Sequence, residues 1–177
     1  MADTKGPTVI HPPAAPTHQP TVQRRVLMLI DESANAENAC RWFAHTSMLP
    51  RTDHVELLHV CPARESENTG VVSAYKTAKD YPLFTKLESF LLEKDLPMER
   101  ISRHTITSSG KSAGAIGQGV RTYMENKHVD LVVMGTRGMG AMKKALGLGG
   151  VADYVCHNVN VPVIVVPYPA MVPELDN

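Results

Sequence analysis

Disulfide and metal-ligand spacings are missing from this sequence. Its cysteines, Cys40, Cys61 and Cys156, are scattered and odd in number, and no CxxC or Cys/His spacing accompanies them. Neither a disulfide framework nor a zinc site is indicated, and buried thiols in a reducing compartment are expected. Net charge is missing as well, since 18 Lys plus Arg balance 18 Asp plus Glu. That balance argues against a partner held mainly by bulk charge, so no nucleic acid and no membrane is expected as a partner. It leaves room for a small anion held by backbone amides. No apolar run approaches membrane-spanning length, and the N-terminus has no secretion-signal core. A cytoplasmic protein is expected. The Gly-x-Ser-x-Gly elbow is absent too, and no constellation for catalysis emerges.

What is present is a chain of 177 residues, 43% of them hydrophobic, enough for one well-buried domain with a tail left over. Residues 1–23 crowd together Pro7, Pro12, Pro13, Pro16 and Pro20, which predicts a disordered arm. His11 and His18 in that arm are too isolated to predict a metal site. A domain is expected over 24–168, followed by a tail at 169–177. RRVLMLID reads as a strand buried on both faces. In the helix that follows, Ala36, Ala39, Cys40, Phe43 and Ser47 share one face, with Ser33 or Asn35 as N-cap. Further strands are predicted over 54–60, 101–107, 129–135 and 161–167. Leu83, Leu87, Phe90 and Leu91 mark a second helix. Ile116, Val120, Tyr123 and Met124 mark a third, which Gly117 and Gly119 weaken, and ALGLGGVADYVCHN holds a fourth.

Five apolar strands alternating with four helices predict an α/β fold: a five-stranded parallel sheet, doubly wound and Rossmann-like, with helices on both faces. Ligands in such folds sit beyond the carboxyl ends of the strands, where strand order reverses. Asp31 ends the first strand, and a run of six glycines, from Gly135 to Gly150, follows the fourth. Glycines at a strand-to-helix turn let backbone amides approach an anion, and phosphate is the usual occupant. Two phosphate motifs fail. Gly110-Lys111-Ser112 matches the end of a P-loop, but Thr105 stands where its first glycine belongs. The dinucleotide spacing GxGxxG is not met around Gly135, Gly138 and Gly140.

The combination resembles the universal stress protein family from Arg24 to Pro167. The resemblance rests on RRVLMLIDES, on LLHV, on DLVVMGTRGMG and on VADYVCHNVNVPVIVVP. It implies ATP, with Mg2+ as an optional companion, held between the first strand's end and the glycine loop. Asp31 then contacts the adenine or ribose side, and Val60 and Met134 line the adenine. Gly135, Gly138, Gly149, Gly150 and Val151 offer backbone to the phosphates. The family's ATP motif places nine residues between its second and third glycines and ends in Ser or Thr. Here ten residues, Met139 to Leu148, separate Gly138 from Gly149, and Gly150 replaces the hydroxyl residue. One lost hydrogen bond weakens binding by roughly 0.5–1.5 kcal/mol. Gly150→Ser is accordingly expected to tighten it modestly.

The resemblance also implies a homodimer through the last strand, Val161 to Val166, and an apolar edge strand needs covering in any case. Blander alternatives stand beside each site residue. Asp31 also suits a helix cap, Val60 and Met134 suit core packing, and His59 suits a satisfied buried histidine. Arg137, Lys143 and Lys144 fall near the expected phosphates, although a solvated charged face is the better explanation for the two lysines. Ser108 and Ser109 lie in a loop near the nucleotide in the family, but the local sequence does not transfer roles. The function expected is a nucleotide-binding stress-response protein. Its alternatives are a nucleotide-free dimeric interaction protein of the same fold and a slow ATPase.

Overall fold

A computed structural model of the chain describes residues 24–62, 82–136 and 148–168. The predicted arm at 1–23 and tail at 169–177 lie outside the described residues, as do Arg137, Gly138, Lys143 and Lys144. Strand β1 (Arg24–Ile30) is buried over its last five residues. Successive side chains on a strand face opposite ways. Val26, Met28 and Ile30 thus enter one core, and Leu27 and Leu29 the other. A strand apolar on both faces belongs in the middle of a covered sheet.

Helix α1 (Ala34–Thr46) is capped by Ser33, whose Oγ accepts from the Ala36 N–H at 3.2 Å. Asn35 lies inside the helix, and the inward face ends at Ala44, because Ser47 is the C-cap. Strand β2 (Asp53–Pro62) is longer than the sequence pattern predicts, and helix α2 (Pro82–Leu92) buries Phe84 more deeply than Leu83. The remaining elements are β3 (Ile101–Ser108), α3 (Ala113–Glu125), β4 (Leu131–Gly135), α4 (Gly150–Asn158) and β5 (Val163–Val166). The five strands are all parallel, in the order β3-β2-β1-β4-β5. Strand order reverses between β1 and β4. The predicted fold class is the one observed.

Residues of α1 and α2, among them Phe43, Phe84, Leu87 and Leu91, fill one face of the sheet. Val120, Ala152 and Val155 from α3 and α4 fill the other with Leu27, Leu58 and Val132. Gly117, inside α3, has a packing reason. A Cβ there would lie 2.3 Å from Cδ1 of Tyr154 on α4, so glycine lets the two helices meet. Gly119 meets no such neighbour, its nearest contact being 3.6 Å away.

Among the described residues, three charged groups are drawn into the core with partners. Asp53 is fully buried and accepts from Arg24 Nε at 2.7 Å and from its Nη2 at 2.6 Å, joining β1 to β2 in register. Glu88 on α2 takes a two-pronged ion pair from Arg103 on β3. Glu56 accepts from the Tyr123 hydroxyl at 2.8 Å. Burial, and then this bond to a carboxylate, push the Tyr123 phenol up from its ordinary pKa. The satisfied state of each group is what makes its burial tolerable.

Candidate functional site

At the carboxyl end of the sheet, where strand order reverses, lies a hollow of about 450 Å³. That volume falls in the range of small-molecule sites, roughly 300–1,000 Å³. Leu29, Leu58, Val60, Ile116, Val120 and Met134 give it an apolar floor, and Asp31, His59, Lys111 and Thr136 stand among its polar walls. A second hollow, of about 470 Å³, lies at the opposite end, between the last turns of α3 and α4. Helix carboxyl ends present carbonyls, and open α/β sheets take ligands at the other end. The first hollow is the candidate.

Asp31 follows β1 directly. Its Oδ1 accepts from the Ser33 N–H at 3.0 Å and from the Ser33 hydroxyl at 2.5 Å. Ser33 in turn caps α1. Asp31 therefore holds the cap in place without being the cap, and its carboxylate is fixed at the rim of the hollow. His59, half-buried, places Nδ1 3.0 Å from the Ile30 carbonyl. A carbonyl only accepts, so Nδ1 carries the proton, and the histidine fastens the ends of β1 and β2 together.

On the far wall α4 begins. Gly149, its N-cap, has no side chain to offer, whereas α1 and α3 are capped by Ser33 and Ser112. The N–H groups of Gly150, Val151 and Ala152 are the first three of the helix, the donors that an α-helix leaves unpaired within itself. With the helix dipole they favour an anion by about 0.3–1 kcal/mol at an exposed site. The Gly149 N–H is not part of this set: it donates to the Thr136 carbonyl at 2.7 Å. That corrects the expectation that all three amides of Gly149, Gly150 and Val151 are open to phosphate.

Of the residues picked from sequence, Asp31, Val60, Met134, Gly135, Gly149, Gly150 and Val151 all line the hollow. Gly138 lies outside the described residues. Two glycines are also explained by neighbours other than a ligand. A Cβ on Gly135 would lie 2.8 Å from the Asn35 carbonyl oxygen, and one on Gly150 2.7 Å from the Ala113 Cβ. Sequence reasoning missed Lys111, Ile116 and Thr136. The signal for Lys111 was the Gly-Lys-Ser run, set aside because it does not complete a P-loop.

Among the described residues no group of three or more His, Cys, Asp or Glu is placed to hold a metal ion, and no helix is long and apolar enough to cross a membrane. The three cysteines form no disulfide; Cys40 is buried, and burial pushes its thiol well above the ordinary range. Cys61 and Cys156 are half-buried, short of the expected full burial.

Fold and hollow together define a doubly wound α/β domain with a hollow at its switch point, where the start of α4 faces the end of β1. The chain belongs to the universal stress protein family, whose model matches residues 23–167. It is 29% identical over 174 residues to the universal stress protein PHOS32 of Arabidopsis thaliana, covering 87% of this chain and 69% of that protein. Among solved structures it is similar to hypothetical protein MJ0577, with a TM-score of 0.58 and 25% identity over 82% of this chain and 96% of that one. The universal stress protein of Archaeoglobus fulgidus shares the fold, with a TM-score of 0.54 at 19% identity over 81% of this chain and 93% of that one.

Proposed function

We propose that this universal stress protein binds ATP in the hollow between β1 and β4 and acts in stress response as a nucleotide-binding signalling protein. The observation that carries the reading is the pairing, across one hollow, of a fixed carboxylate, Asp31, with the uncapped start of α4 at Gly150 and Val151. The apolar floor suits a flat base, the carboxylate suits ribose or adenine hydrogen-bond donors, and the amides suit phosphate oxygens. Mg2+ is an optional companion of the phosphates in this reading. Hydrolysis needs a positioned base and stabilised charge at the γ-phosphate, and the reading is of binding, with turnover at most slow. Mass spectrometry of gently purified protein tests the reading, with retained adenine nucleotide as the expected result. Calorimetry showing no binding at millimolar ATP overturns it.

A specific observation favours a second reading, a nucleotide-free interaction protein of the same fold. Gly150 lacks the motif's hydroxyl, and the Gly149 amide is already paired to Thr136. Both readings include a cytoplasmic homodimer. Among the described residues strand β5 is bonded on one side only, to β4, and its Val163, Ile164 and Val165 are half-buried, so a second copy covers an apolar edge. Light scattering at micromolar protein is expected to return a dimer mass, and a monomer there removes this part of the proposal.

A further inference from the structure

Gly110-Lys111-Ser112 has no part in the family's glycine motif, yet the fold brings it to the hollow. Ser112 caps α3, and Ala113, its first residue, sits against the first residue of α4 at the Gly150 position. Lys111 precedes the cap and lines the same hollow. Among the described lining residues it is the single lysine or arginine. The amides at the start of α4 offer partial charge only, one of the expected amides is already engaged, and the hydroxyl is missing. Among the described lining residues, Lys111 alone offers a full positive charge to the several negative charges of a polyphosphate. A lysine supplies a compact full charge on a flexible stem, which follows phosphate oxygens without demanding one geometry.

We propose that Lys111 is the residue by which the hollow selects the phosphate chain, so that it sets preference for di- and triphosphate over the bare nucleoside. The proposal rests on the nucleotide reading above. Lysine stands in for the missing hydroxyl from a different loop, the one that leads into the neighbouring helix α3. The side chain is exposed, so its replacement leaves the core untouched.

The test is calorimetric titration of the full chain with ATP, ADP and adenosine, for wild type, Lys111→Met and Lys111→Arg. Lys111→Met is expected to weaken ATP about tenfold, as loss of a charge-assisted hydrogen bond does, and to leave adenosine unchanged. Lys111→Arg keeps the charge and is expected to keep the wild-type ratio of ATP to adenosine affinity. An unchanged ratio in Lys111→Met overturns the proposal while leaving the nucleotide reading standing. Equal losses with methionine and arginine overturn charge as the cause. Wild-type protein that binds neither ATP nor adenosine overturns both readings together.

Discussion

A Cβ placed on Gly150 would stand 2.7 Å from the Cβ of Ala113, closer than packed carbons approach. Glycine at 150 is thus a requirement of how α4 starts against α3, besides being the absence of a hydroxyl. Gly150→Ser gains about 0.5 kcal/mol of helix propensity but overpacks a rigid contact at a cost of about 1–3 kcal/mol. The variant is expected to be destabilised and to bind ATP no more tightly, contrary to the expectation from the motif alone. Ala113→Gly in the same chain is expected to return most of the loss. Urea unfolding of both single variants and the double reads the coupling, and strictly additive effects count against the steric account.

Contacts of this kind divide what could be read in the sequence from what could not. RRVLMLI declares a central strand because both of its faces are apolar, and the reversal of strand order follows from the alternation of strands and helices. Asp31, Val60, Met134 and the glycines were legible because motif positions are counted along the chain. Lys111 was not, since only the packing of α3 beside α4 carries it to the hollow, whereas Thr136 adjoins Gly135 in the chain and was passed over. Asn35, Ala113 and Tyr154 explain three glycines, and each lies on a different element from the glycine it constrains. The burial of Glu56 and Glu88 has no local signal in the sequence, because their partners Tyr123 and Arg103 lie on other elements.

The Arg24–Asp53 pair makes a stability prediction. Asp53 is fully buried, and the arginine side chain retains 28% of its exposure. Without Arg24, the carboxylate keeps the Leu49 N–H at 2.8 Å but loses its counter-charge. Arg24→Met is expected to destabilise by about 3 kcal/mol, the lower part of the range for breaking a buried pair. Arg24→Lys keeps the charge but not the fork, and is expected to fall between. Denaturant midpoints at constant slope measure both.

Acid is expected to weaken the fold before the carboxylates titrate. His54 on β2 and His104 on β3 both have pKa values lowered mainly by burial. Glu56 opposes the shift in each, while Arg25 and Arg100 near His54, and Lys127 near His104, reinforce it. His54 Nε2 also lies 2.7 Å from the Ser102 hydroxyl. A depressed histidine favours the neutral form in the fold. Its stability contribution is therefore present above the unfolded value, about 6.5, and is lost as pH falls through the lower folded value. The urea midpoint should drop as pH falls below about 6.5, and His54→Gln with His104→Gln should flatten that drop. A wild-type midpoint that rises on acidification contradicts the assignment.

Asp31 has two roles to separate, because one carboxylate both orients Ser33 and faces the hollow. Asp31→Asn preserves size and an acceptor for the Ser33 N–H, but removes the charge. Ser33→Ala removes the cap and the hydroxyl's bond to Asp31, while the backbone N–H bond keeps the carboxylate at the rim. If Asp31 holds the ribose or adenine, Asp31→Asn should weaken ATP about tenfold, the value of one charge-assisted bond. Its effect on stability should be small. Ser33→Ala should cost about 1 kcal/mol of stability, the usual loss for a helix cap, with a lesser effect on affinity. Calorimetry and thermal unfolding on both variants give a two-by-two comparison. Should Ser33→Ala reduce affinity as much as Asp31→Asn does, the carboxylate acts through the turn it organises, and its contact with the ligand is refuted.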